Sequence, residues 1–333
     1  MRIQAAVALL GALYLAACSS TSAIDVLSVP VPSQEVTNSV RPSAPAEVAK
    51  ANIAAAEEAP QDDLAAALVP PAEVAPPAAA AAAVVKPAVA APAAKDIEHQ
   101  VIRHRFKDAK PINFGRVQPH HYAVHGVDVS RWQGEINWPR LRAHGANFAY
   151  IKATDGGDHL DPMFKKNWRG AHEAGLKRGA YHFFYWCRTA GEQADWFIRN
   201  VPKVEGALPP VIDVEYNGES RCKVRLSRKR ILEKMKVFMD KLEAHYGQRP
   251  IIYTAPDFYA DNLEGEFLDY PFWLRAVAKH PSKVYPGRKW VFWQYSGSGL
   301  SQGVNEKIDL NVFNGSPKEW RDWLSGSTVV ARR

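Results

Sequence analysis

The chain of 333 residues carries a formal net charge of +7, and all ten of its tryptophans lie beyond Val101. A length of this order admits one large domain or two ordinary ones, and the uneven composition excludes two equal globular halves. Charge is uneven as well: residues 19–98 hold ten acids against four bases, leaving the C-terminal part at about +12, a balance suited to an anionic polymer.

In chain order, the first predicted element is a targeting segment over residues 1–18. Arg2 gives it a positive start, and Ala5 to Ala17 form an apolar stretch too short to span a bilayer. It ends in Leu15-Ala16-Ala17-Cys18, which resembles a bacterial lipobox, so Cys18 is expected to be lipidated and to anchor the protein in a membrane. Ser19 and Ser20 follow in place of an anionic residue, and by resemblance to known sorting signals an outer-membrane lipoprotein facing the periplasm is expected. Export argues against nucleic acid as the anionic partner. Residues 19–100 are Ala/Pro-rich, with a run from Ala78 to Ala83, and hold too few large apolar side chains for a core. They read as a disordered tether spanning roughly 50 Å as a coil and about 250 Å fully extended.

An entry segment at 101–122 leads into one domain over 123–326, followed by a short tail at 327–333. Strands are expected at 125–130, 147–153, 178–185, 209–215, 251–254, 272–274, 289–294 and 308–310. Helices are signalled by Asn137 with Pro139, by Asp161-Pro162, by Thr189 with Glu192, by Ser227, and by Ser316 with Glu319. The helix after Ser227 carries Ile231, Met235, Phe238, Met239 and Leu242 on one stripe. The first four strand connections are clearly helical, and the last three lack a full helix. The fold class is therefore α/β, an irregular (β/α)8-type barrel, with a doubly wound open sheet as the alternative. No glycine-rich nucleotide loop follows any strand.

Chemistry in such a barrel belongs at the C-terminal ends of the strands. Four acids fall there: Asp128, Asp213, Glu215 and Asp309. In Val211-Ile212-Asp213-Val214-Glu215, alternation puts Val211, Asp213 and Glu215 on one face. In a closed barrel the first and eighth strands are neighbours, so Asp128 and Asp309 converge. Tyr181, His182, Tyr253, Trp273, Trp293 and Gln294 are expected at the same mouth, where aromatic faces beside carboxylates suit sugar rings and a cationic transition state. Singly, each aromatic is better explained by core packing, and the joint arrangement is what carries weight. Cys187 and Cys222 each sit just past a predicted strand and form a disulfide candidate in an exported protein. His99, His104, His120, His121 and His125 lack metal-ligand spacing, so neither metal nor cofactor is expected.

At this point a resemblance becomes specific. The segments GVDVSRWQGEINW (126–138), FAYIKATDG (148–156), GAYHFF (179–184), VIDVE (211–215), IIYT (251–254), WQYSGSG (293–299) and IDLNVFNG (308–315) resemble glycoside hydrolase family 25, the Ch-type lysozymes or N-acetylmuramidases. The resemblance spans nearly the whole domain and none of the tail. It implies a modified β/α barrel that cuts the β-1,4 bond between N-acetylmuramic acid and N-acetylglucosamine in peptidoglycan glycan strands. It also implies Glu215 as catalytic acid, Asp213 as its partner, and Asp128 and Asp309 as supporting acids. Two departures stand out. Asp155 replaces the usual Glu, and strand six reads Trp273-Leu274-Arg275-Ala276-Val277 where the family shows W-x-A-x-Y. Arg275 is then free to pair with Asp309 or with a muramic lactyl carboxylate.

Crowding by Asp213 and apolar neighbours is expected to raise the pKa of Glu215. Retaining, inverting and substrate-assisted routes all remain open from spacing alone; the last, with Asp213 steadying the substrate's own N-acetyl group, suits this substrate. Rival readings are a barrel that grips peptidoglycan without cutting it, and a hydrolase of other N-acetylglucosamine polymers. The protein is expected to act as a monomer.

Overall fold

The computed structural model describes residues 100–218 and 220–326. The targeting segment with Cys18, nearly all of the tether, and the tail at 327–333 lie outside the described residues. Eight strands make the barrel: β1 (His125–Val129), β2 (Phe148–Asp155), β3 (Lys177–Phe183), β4 (Val211–Val214), β5 (Ile251–Thr254), β6 (Phe272–Arg275), β7 (Phe292–Leu300) and β8 (Ile308–Phe313). Each pairs with the next in chain order, and β8 pairs back onto β1, so the sheet is closed rather than open.

Strands β1 to β7 run parallel, whereas β8 is antiparallel to both of its neighbours. This explains the irregular second half. A parallel neighbour needs a long crossover, usually a helix, but an antiparallel one needs only a hairpin. The chain accordingly passes from β7 to β8 through 301–307 without a helix. Elsewhere the crossovers carry α1 (Trp138–Ala143), α2 (Phe164–Glu173), α3 (Ala190–Asn200), α4 (Arg228–Tyr246) and the shorter α5 (Pro256–Asn262) and α6 (Pro281–Val284); α7 (Pro317–Leu324) closes the domain.

The helix starts follow their capping residues. Asn137, Thr189, Ser227 and Ser316 each accept a backbone N–H from the first turn, and Ser316 with Glu319 forms a reciprocal capping box. On α4 the buried residues are Ile231, Met235, Phe238, Met239 and Leu242, the predicted stripe; burying each contributes about 1.5–3 kcal/mol. Asp161 does not open α2 as expected. It is buried and accepts backbone N–H groups from Arg131 and Met163, joining two loops at the mouth.

Strand alternation divides the apolar side chains into two cores. Val127, Val129, Ile151, Ile212, Val214, Ile252 and Leu274 face the helices. Phe148, Tyr150, Tyr181, Val211, Ile251, Tyr253, Trp273 and Phe292 fill the barrel interior. The interior rings need space that only glycine leaves. A Cβ on Gly126 would sit 2.5 Å from the Phe148 ring, and one on Gly179 would sit 2.2 Å from the Tyr150 ring.

The helical ring has a gap outside β7, β8 and β1, and the entry segment covers it. Lys107–Asp108 adds an antiparallel edge pair on Leu300 and Gly299. His104 stacks on His125 with ring centroids 3.5 Å apart, and Phe114 sets its edge against Trp293 at 4.9 Å. The segment begins at the opposite end from the mouth, where Arg142 Nη2 donates to Gln100 O at 2.7 Å and the Ile102 N–H to Asn147 Oδ1 at 2.8 Å.

Candidate active site

The C-terminal ends of β1 to β7 and the start of β8 form one mouth. Asp213 is the third residue of β4, and Glu215 lies just beyond its last residue, Val214. Asp309 reaches the mouth for a different reason than expected: β8 runs the other way, so its second residue, opposite Asp128, faces the open end. Asp128, Asp213 and Glu215 are all buried.

Asp128 sits at the centre of a polar network. Its Oδ2 accepts from Gln294 Nε2 at 3.0 Å and from Asn311 Nδ2 at 2.7 Å. Each amide is oriented in turn from below: Tyr253 OH donates to Gln294 Oε1 at 2.9 Å, and Trp273 Nε1 to Asn311 Oδ1 at 2.8 Å. Burial raises the Asp128 pKa to about 6, opposed by hydrogen bonds from Gln294, Asn311 and Asp309 and by the charge of Arg275. Asp213 is pushed well above the ordinary carboxyl range, first by burial and next by the charge of Glu215, with Lys152 pulling the other way. Its Oδ1 is buried and meets no hydrogen-bond partner among the described residues. Asp213 and Glu215 therefore act on each other directly.

Lys152, absent from the sequence-based site, belongs to it. It is buried, its Nζ lies 2.8 Å from Asp155 Oδ2, and it sits over the Phe183 ring at 5.1 Å. The shortened acid at 155 thus still reaches a cation. Arg275 is buried beside the same mouth, where burial works against its charge and Glu215 and Asp309 favour it. Tyr181 is buried among Asp128, Asp213, Asp161 and Asp309, whose charges add to burial in holding its hydroxyl protonated.

Two expected mouth residues lie elsewhere. His182 points outward from β3: Thr154 Oγ1 and Gln193 Oε1 lie 2.8 and 3.1 Å from its ring nitrogens, and it stacks on Phe238 of α4. Burial lowers its pKa to about 4, so it is a neutral core histidine. Trp293 is fully buried outside the barrel among Phe114, Tyr122, His280 and Trp290, its Nε1 donating to Ala276 O at 2.8 Å. The reason is alternation: the neighbours Tyr181 and Gln294 take the inward positions, so the adjacent residues must face out. Tyr253 and Trp273 do point inward, but at 1% and 2% exposure they support the amides beneath the acids and offer no open face to a sugar. A cavity of about 1080 Å³ at the opposite end, lined by Pro209, Leu268, Trp290 and Trp323 among others, holds none of the four acids.

A model for the glycosyl hydrolases family 25 matches residues 127–304. The chain belongs to that family. YegX of Escherichia coli strain K12, an uncharacterized protein, is 39% identical over 214 residues, covering 62% of this chain and 76% of its own. Lysozyme M1 of Streptomyces globisporus is 36% identical over 201 residues, 58% of this chain and 68% of its own. A solved family 25 glycosyl hydrolase from Bacillus anthracis is 37% identical and superposes with a TM-score of 0.59, covering 64% of this chain and 99% of that one. This family 25 chain is a glycoside hydrolase.

Proposed function

We propose that the protein is a peptidoglycan muramidase, cutting between N-acetylmuramic acid and N-acetylglucosamine with Glu215 as general acid. The convergence of Asp128, Asp213, Glu215 and Asp309 on one mouth carries this reading, and the similarity to lysozyme M1 supports the substrate class. Glu215 protonates the glycosidic oxygen as the C1–O bond breaks. The acetamido oxygen of the same sugar closes on C1 from the opposite face, and Asp213 accepts the acetamido N–H, a role suited to its orphaned Oδ1. Glu215 then takes a proton from the water that opens the ring intermediate, so the product keeps its anomeric configuration. Asp128 and Asp309, acting with Gln294 and Asn311, fix the charge of the mouth rather than transfer the proton.

The decisive measurement is muropeptide release from purified peptidoglycan by wild type and Glu215→Gln. The substitution is expected to leave the fold intact and lower turnover at least about a hundredfold. Near-normal turnover refutes the assignment, and cleavage of chitin oligomers alone refutes the substrate.

A lipidated Cys18 and an outer-membrane location fit this reading. The tether joins the domain at Gln100, on the face opposite the mouth, so an anchored enzyme can present its acids away from the membrane. Cys18→Ala is expected to move the protein from the membrane to the soluble fraction; an unchanged distribution rejects the anchor.

A further inference from the structure

Glu215 lies past the last ladder residue of β4, at the start of a loop that runs to Ser227 before α4 begins. A loop position is ordinarily a poor platform for a proton donor, because a displacement of about 1 Å can cost a hundredfold in rate. Here the loop is braced against the one that follows β3. Trp186 Nε1 donates to the main-chain oxygen of Glu215 itself at 2.8 Å. The Trp186 backbone N–H donates to Asn217 Oδ1 at 3.1 Å, and Asn217 Nδ2 returns a bond to Phe184 O at 3.1 Å. Cys187 is joined to Cys222 by a disulfide with Cα atoms 5.5 Å apart, and its N–H points at the Cys222 sulfur at 2.9 Å.

The brace has its own foundation. Trp186 stacks on Phe258 of α5 at 5.0 Å with the rings 17° from parallel. Tyr216, next to Glu215, packs its edge on the same Phe258 and donates its hydroxyl to Asp261 at 2.5 Å. Trp186 is 3% and Asn217 6% exposed, so water does not compete for these bonds. The main chain at Glu215 and the two residues after it are therefore held by groups outside their own strand.

We propose that Trp186, Asn217 and the Cys187–Cys222 disulfide are positioning residues for the general acid, setting the reach of the Glu215 carboxyl toward the glycosidic oxygen. Trp186 and Asn217 are buried and act through bonds to the loop that carries Glu215, and the disulfide ties that loop to its neighbour. Their loss should appear in the chemical step and leave substrate affinity alone. The proposal rests on Glu215 being the acid, and the test separates the two claims.

The experiment compares kcat and KM on peptidoglycan for wild type, Trp186→Phe, Asn217→Ala, Cys187→Ala/Cys222→Ala and Glu215→Gln, with folding followed by circular dichroism. Trp186→Phe keeps an aromatic ring on Phe258 while removing the N–H together with one ring of the indole. Each brace variant is expected to lower kcat about 10- to 100-fold with KM within about twofold of wild type. The cysteine pair combined with Asn217→Ala should lose less than the product of the separate losses, because both act on one loop. If Glu215→Gln is inactive while the folded brace variants turn over within twofold of wild type, or if they raise KM alone, the brace is merely structural and the proposal falls. If Glu215→Gln remains active, the acid assignment falls and takes this proposal with it. Should the cysteine-free protein not fold, titrating dithiothreitol into folded wild type gives the same reading: kcat must fall as the Cys187–Cys222 bond opens.

Discussion

Replacing Asp128 by Asn should stabilise this enzyme at neutral pH while it damages catalysis. Asp128 titrates at about 6 in the native state against an ordinary value of 3.8. Between those values the native protein keeps a proton that the unfolded chain has released. Stability therefore falls as pH rises from about 4 to about 6, and is lowest above that window. A displacement of this size corresponds to about 3 kcal/mol, since one pKa unit is worth about 1.4 kcal/mol. Asn has the same shape and keeps an oxygen to accept from Gln294 and Asn311, but carries no charge to desolvate. For a domain of this size about 3 kcal/mol is roughly 6–12 °C in Tm. Removing the Asp128 charge also relieves Asp213, which it otherwise helps to raise, so the two effects share a sign. The assay is calorimetry of both proteins from pH 4 to pH 8. The Tm gap in favour of Asp128→Asn should be small at pH 4 and widen to a plateau above pH 6. A variant that melts lower than wild type at pH 7, or a gap independent of pH, refutes the account of a carboxyl held against desolvation.

Other outcomes follow from the same geometry. Lys152→Met removes the cation that favours charge on Asp213, so the pH profile of kcat/KM should move to higher pH; an unmoved profile contradicts the coupling. Asp213→Asn should lower kcat about 10²- to 10³-fold, as loss of one stabilising group in a reaction centre does, and NMR of the wild-type product should show retention; an inverted anomer rules out the acetamido route. Trp293→Phe should leave KM unchanged and lower Tm by a few degrees, the cost of one buried hydrogen bond to Ala276 being about 1–2 kcal/mol. A raised KM would return Trp293 to the substrate site.

The parts of the barrel legible in the sequence were those set by local rules. Caps and stops bounded the helices within one to three residues, and the paired face of Val211, Asp213 and Glu215 needed only strand alternation. The same rule, applied throughout, would have separated His182 from Tyr181 and Trp293 from Gln294, since strand neighbours cannot share a face. It would also have found Lys152, two residues along from Tyr150, and Asn311, two along from Asp309. What no local rule carries is strand direction. The reversal of β8 follows a short connection through 301–307 and is fixed by closure onto β1, a long-range fact.

That reversal links the edge of the fold to its centre. An antiparallel β8 places Asp309 directly opposite Asp128, a pairing that a parallel eighth strand would have left at the far end of the barrel. It also removes a crossover helix, so the outer faces of β7, β8 and β1 need another cover. The entry segment supplies it through Phe114, Tyr122 and the His104–His125 stack, which lie outside the residues matched by the family. The tether therefore joins the domain through a segment that also shields the sheet bearing Asp128, Gln294 and Asn311. Cutting the chain between this segment and β1 would expose Trp293 and Tyr295 along with the strands that hold the amide network. The acids at the mouth are costly to keep buried, and the strands beneath them stay in register only while their outer face is covered.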